Sequence, residues 1–143
     1  MIDRRQARIL AMQALCLFDA MGDEFAQQLG DFLADEAPPA AIVEHARRLV
    51  LDVRQDLGVI DETIQSSLQN WDMKRLAAID RNIMRVAVCE LMHRPEVPAK
   101  VALNEAIEIG KEFGTKETAA FINGILDAIV KKTSPQLANT GDE

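Results

Sequence analysis

Apolar side chains recur at steps of three and four residues along most of the chain, most clearly over residues 103–127. Leu103, Ala106, Ile107, Gly110 and Phe113 share one helical face. Asn104, Glu105, Glu108, Lys111 and Glu112 take the other, as a helix half-buried against a core requires. Gly114-Thr115 then reads as a stop followed by a cap. Phe121, Ile122, Ile125, Leu126 and Ile129 carry the stripe into the next helix, so this stretch predicts an antiparallel helix pair.

The same reading along the rest of the chain predicts helices at roughly 3–20, 24–35, 39–57, 60–70, 73–93, 97–113 and 115–132. The breaks fall at Gly22-Asp23, Pro38-Pro39, Gly58, Trp71-Asp72, Pro95 to Pro98 and Gly114-Thr115. Asp23 and Thr115 read as N-caps, and Asp72 opens the fifth helix. Asn123-Gly124 has the wording of a hairpin turn, but the flanking period is helical, so it stays inside the last helix; close helix packing explains the glycine. Strand signals are nearly absent. The fold class is therefore all-α: two packed helical subdomains of about seven helices, with the change-over near Trp71 (roughly 1–70 and 71–133). The polar stretch 134–143 is expected to be a disordered tail.

A chain of 143 residues forms one domain and buries roughly 70% of its unfolded surface, so it needs no metal or disulfide staple. No apolar run approaches the ~20 residues that span a bilayer. The opening MIDRRQARIL lacks the apolar core of a secretion signal. Cys16 and Cys89 lie in apolar helical stretches and read as small buried hydrophobes of a reducing cytoplasm. The net charge of −7 is unevenly spread. Residues 19–62 hold eleven acids against Arg47, Arg48 and Arg54, whereas residues 1–18 carry Arg4, Arg5 and Arg8 against Asp3 alone. An acidic total thus leaves room for a basic face.

Catalytic wording is missing: no phosphate loop, dinucleotide fingerprint or nucleophile elbow occurs, and the cysteines lack C-x-x-C spacing. Glu90 and His93 form one Glu-x-x-His, the spacing of di-iron helical bundles, but His45 supplies no second copy. His93 reads instead as a helix-ending residue beside carbonyl groups. Neither a metal nor another cofactor is expected.

The first helix holds the strongest candidate chemistry. At about 100° per residue, Arg4, Arg5 and Arg8 lie at about 0°, 100° and 40°. Ala7, Leu10, Ala11, Ala14 and Phe18 lie between about 240° and 340°. The arginines are therefore expected as one stripe beside the buried face. Three cations at the positive end of a helix dipole suit an outside anion, and arginine's fork suits phosphate. A solvated face paired with Asp3 and nearby acids explains the spacing equally well.

Four segments in order resemble the NusB family: RRQARILAMQAL, LAAIDRNIMRVAVCEL, VPAKVALNEAIEIGKEFG and FINGILD. The likeness runs from about Arg4 to Lys132. It implies an all-α fold, no enzymatic activity, and binding of single-stranded boxA-type RNA of ribosomal RNA leaders together with the ribosomal protein NusE. It further implies work within the RNA polymerase antitermination complex, promoting read-through and rRNA maturation. By matching position it places RNA contact on Arg4, Arg5 and Arg8, and next on Gln13, Asp80 and Phe121. Lys111 and Lys116 join on electrostatic grounds alone. Phe121 reads equally as core, and Asp80 as a cap or a partner of Arg81. Gln6 and Asp3 thin the basic opening, and Cys16 stands where the family often has an aromatic. The isolated protein is therefore expected to bind RNA weakly and to depend on its partner. Two competing readings are a helical interaction module or homodimer that hides its first helix, and a relative of the helical domain attached to rRNA cytosine methyltransferases.

Overall fold

The computed structural model describes residues 4–133, with the side chain of residue 133 left aside. The expected tail lies outside the described residues, as does Asp3. Seven α-helices appear in order among the described residues: α1 Arg4–Met21, α2 Leu29–Ala34, α3 Ala40–Gln55, α4 Leu57–Gln65, α5 Ala78–His93, α6 Ala99–Phe113 and α7 Thr118–Thr133. Two 3-10 segments, Gly22–Gln28 and Met73–Arg75, complete the regular structure, and no strand occurs among the described residues.

α5 is the central helix. Every residue from Asn82 to Glu90 is buried, which a helix achieves only when neighbours cover it on all sides. α1 packs on α3 and α5, and α6 and α7 pair with each other beyond α5. One apolar core runs through all of them, from Ala7 and Leu15 through Leu49 and Met84 to Ile122 and Leu126. α1 and α5 run antiparallel: Arg8, near the start of α1, meets Glu90 near the end of α5, and Asp19, near the end of α1, meets Arg81 near the start of α5.

Several expected boundaries move, each for a local reason. Helix 24–35 splits into a 3-10 segment and short α2. Phe25 is the only buried side chain of residues 22–28, so a tighter coil sacrifices little burial there. Asp23 is no cap; its carboxylate accepts from Arg54, whose guanidinium lies 3.8 Å over the Phe18 ring. Gly58 sits inside α4, which starts at Leu57 and ends at Gln65 rather than residue 70. Ser66 turns its hydroxyl onto the Thr63 carbonyl, the kind of side-chain competition that ends helices, and Asn70 takes a left-handed φ of 66°.

The helix expected over 73–93 breaks at Leu76-Ala77. Arg81 Nη1 donates to the carbonyls of Met73 and Leu76, so both acceptors at this break serve a side chain, Met73 alongside the Leu76 amide of the 3-10 turn. Asp72 caps the short 3-10 turn through the Lys74 amide, not α5. The last helix begins at Thr118, whose hydroxyl accepts from the Thr115 amide, one half of a capping box. The two glycines also exchange roles. A Cβ at Gly124 would meet nothing within 4 Å, so helix packing does not explain it. The close α6–α7 approach lies at Gly110, where a Cβ would stand 3.1 Å from Thr118 Cγ2 and 3.3 Å from Ile122 Cδ1.

Candidate nucleic-acid interface

The stripe of three arginines does not survive folding. Arg4 and Arg5 are exposed, but Arg8 is buried at 4%. Met12 and Leu15, at about 80° and 20° on the helical wheel, are both buried and widen the apolar arc until Arg8 at about 40° lies inside it. Its guanidinium forks onto Glu90, Nε to Oε1 at 2.6 Å and Nη2 to Oε2 at 2.9 Å. Nη1 reaches Glu105 Oε1 at 3.3 Å. Glu90 is 1% exposed, so each charge of the pair is compensated where water cannot reach. The pair ties the start of α1 to the end of α5. The Glu-x-x-His spacing is likewise divided: Glu90 faces Arg8, while His93 Nε2 pairs with Asp56.

At the surface, Arg5 Nε and Nη2 donate to Glu105 at 3.0 and 2.5 Å. These hydrogen bonds hold the Glu105 carboxyl below the ordinary carboxylate range against the opposing effect of burial. Arg4 forms no ion pair among the described residues. His45 on α3 lies close to this end, and burial, then Arg94 and Arg4, hold its imidazole below the usual value, so it adds no charge at neutral pH.

Of the other expected site residues, Asp80, Lys116 and Phe121 lie toward the opposite end of α5. Asp80, in the first turn of α5, accepts from Thr118 Oγ1 at 2.9 Å and so ties α5 to the start of α7. Arg81 turns away from Asp80 and pairs with Asp19 at 2.9 Å. Lys116 is exposed in the turn between α6 and α7, and Phe121 is half-buried against the core. Lys111, exposed on α6, pairs with Glu108 at 3.2 Å. Gln13 lies half-buried at about 180°, on the side of α1 away from Arg8. The arginine end and the Asp80–Lys116–Phe121 end are separated by about 15 Å of helix, ten residues of α5 at 1.5 Å each.

Beside the second end, a second network opens into a cleft of about 520 Å³ lined by Asp19, Asp61, Glu62, Gln65, Lys74 and Arg81, among others. Arg85 forks onto Asp61 at 2.8 Å on both contacts and reaches Asp19 at 2.9 Å. Burial works to raise the Asp19 carboxyl, but hydrogen bonds from Asn82, Arg85 and Arg81 outweigh it and hold the group below its usual value. Burial likewise works against the Arg85 charge, and Asp61 and Asp19 more than restore it. Cys16, half-buried, receives the Asn82 amide at 3.5 Å and is raised by burial; Cys89 is pushed up to about 12 by the same cause. Both thiols are free.

Reasoning from sequence missed Glu90, Glu105 and Thr118 as partners. One signal was present: Glu90 interrupts the apolar run VAVC-E-L, and an acid inside such a run calls for a buried cation. No helix among the described residues is long and apolar enough to cross a membrane.

Known proteins match this chain over most of its length. "Transcription antitermination protein NusB" of Geotalea daltonii is 43% identical, covering 90% of this chain and 94% of its own. The structure of T. maritima NusB superposes with a TM-score of 0.80 at 34% identity, covering 95% of this chain and 96% of that one. A chain in a crystal structure of the antitermination factors NusB and NusE with dsRNA shares the fold, with a TM-score of 0.82 at 24% identity over 92% of this chain and 99% of that one. Residues 5–131 match the NusB family, and the chain belongs to it.

Proposed function

We propose that this chain is a transcription antitermination factor that binds single-stranded boxA-type RNA of ribosomal RNA leaders together with NusE. In this reading it acts in the cytoplasm, within the RNA polymerase antitermination complex, where it promotes read-through and rRNA maturation and catalyses no reaction. The observation that carries the role is the match, over nearly the full length of both chains, to an antitermination protein at 43% identity. The geometry supports the RNA contact. Arg4 and Arg5 stand exposed at one end, and Lys116, Asp80 and Phe121 gather at the other. An extended single strand suits such a surface: its phosphates meet cations while a splayed base stacks on an aromatic ring.

The contact set is Arg4, Arg5, Gln13, Asp80, Lys111, Lys116 and Phe121. Arg8 serves it from inside, by holding the start of α1 on α5. Asp80 contributes in part by fixing Thr118 and hence the α6–α7 turn that presents Lys116.

Fluorescence anisotropy of labelled boxA-type RNA, with and without NusE and against a scrambled strand, tests the reading. Binding that favours boxA and tightens with NusE is expected. With Arg8 withdrawn, the arginine end gives a logarithmic salt slope no steeper than about −1.4, at ~0.7 for each of two phosphates. Absence of binding under both conditions would leave a helical protein-interaction module, and sedimentation would then show whether it pairs with itself.

A further inference from the structure

Glu90, Arg8, Glu105 and Arg5 form a ladder of alternating charge that runs from the core to the surface. Its two carboxylates cancel its two guanidiniums. The inner rung is dry: the Arg8 and Glu90 side chains are 5% and 1% exposed. The outer rung stands at the water boundary, with Arg5 at 46% and Glu105 at 18%. Glu105 places its two oxygens on the Nε–Nη2 edge of Arg5, the edge with which an arginine forks onto two phosphate oxygens. The carboxyl is held below its ordinary range by that contact and is charged at neutral pH. Arg5 therefore meets solvent already neutralised, by a group shaped like the ligand it would bind.

We propose that Glu105 is a built-in counter-anion that sets RNA affinity: a phosphate takes the Arg5 fork only by displacing this carboxylate. The proposal rests on the RNA-binding reading above. Displacement exchanges one anion for another, so Arg5 adds little net charge neutralisation on binding and Arg4 carries most of the electrostatic attraction at this end. Glu105 is an affinity-determining residue that never touches the RNA in the bound state. It gives the chain weak binding alone and makes the arginine end usable chiefly when a partner holds the RNA in place.

The test is a double-mutant cycle read by anisotropy with boxA-type RNA across a range of salt. Glu105→Gln keeps the shape and one acceptor while removing the charge. It is expected to tighten binding about threefold and to steepen the salt slope by about 0.7. Asp31→Asn, the same charge change at an exposed position on distant α2, should leave both unchanged. The gain should vanish in the Arg5→Ala background, because without the Arg5 fork there is nothing for the Glu105→Gln change to release. Thermal unfolding checks each variant, and Glu105→Ser stands in if glutamine disturbs the fold. Equal or weaker binding by Glu105→Gln, or a gain that survives loss of Arg5, overturns the proposal while wild-type binding keeps the RNA reading intact. If neither wild type nor Glu105→Gln binds RNA, the RNA reading fails and the counter-anion role with it.

Discussion

Two arginine clasps hold α1 against α5, one at each end, and they solve opposite problems with the same chemistry. At the start of α1, Arg8 and Glu90 form one bidentate pair sealed from water. At the end of α1, Arg81, Asn82 and Arg85 share Asp19, and Arg85 also takes Asp61, with a cleft of about 520 Å³ alongside. In the sealed clasp Glu90 depends on Arg8 alone for its cation, because it finds no water if its mate is lost, while Arg8 keeps only a longer contact to Glu105. In the open clasp Asp19 has donors on three residues, and both acids have solvent to fall back on. Burial depth, more than residue type, decides which arginine is structure and which is surface chemistry. Arg8 and Arg5 are three residues apart, yet one is committed to the core and the other to an exchangeable contact at the boundary.

The largest effect should come from breaking the sealed clasp. Arg8→Ala leaves Glu90 charged and buried, and is expected to cost about 3–5 kcal/mol in chemical denaturation. A loss under about 1 kcal/mol would show that water reaches Glu90 and erase the contrast. Arg85→Ala at the open clasp should cost less, about 2 kcal/mol, since Asp19 keeps Arg81 and Asn82 and both acids can hydrate.

The open clasp also has a pH signature. The folded Asp19 carboxyl lies below its unfolded value, so its contribution is fully present above the unfolded value and is lost as pH falls through the folded one. From about pH 5 downward, wild type should therefore lose melting temperature more steeply than Asp19→Asn, and parallel curves would remove Asp19 from the account.

A smaller pair of substitutions sharpens the picture near the open end. Gly110→Ala presses on Thr118, which Asp80 and the Thr115 amide already fix, so about 1–2 kcal/mol of destabilisation is expected. Gly124→Ala points into open space and should stabilise by about 0.5–1 kcal/mol through helix propensity alone. Thermal melts of the two alanine variants moving in the same direction would show that the Gly110 contact yields freely.

Local pattern made much of the fold legible. The stripe Leu103-Ala106-Ile107-Gly110-Phe113 and its sequel Ile122-Leu126-Ile129 marked α6 and α7, and the proline and glycine breaks marked most turns. Its errors lie where side chains compete with backbone hydrogen bonding. Arg81 takes the Met73 and Leu76 carbonyls and Ser66 takes that of Thr63, contacts that no periodicity displays. The candidate site was legible as residue types, not as geometry. Counting only part of the apolar arc of α1 put Arg8 outside, although Met12 and Leu15 flank it on the wheel.

The sequence by itself determined the all-helical class, the family wording and the presence of arginines where an anion could be met, because those follow from composition and short-range period. The tertiary structure alone decided which arginine faces water, which glycine marks the close helix approach, and that Glu90 and Glu105, 82 and 97 residues from Arg8, would claim its charge. The reason is physical: burial and ion pairing are set by what other segments bring to a position, and pairings across such separations leave no periodic trace in the chain.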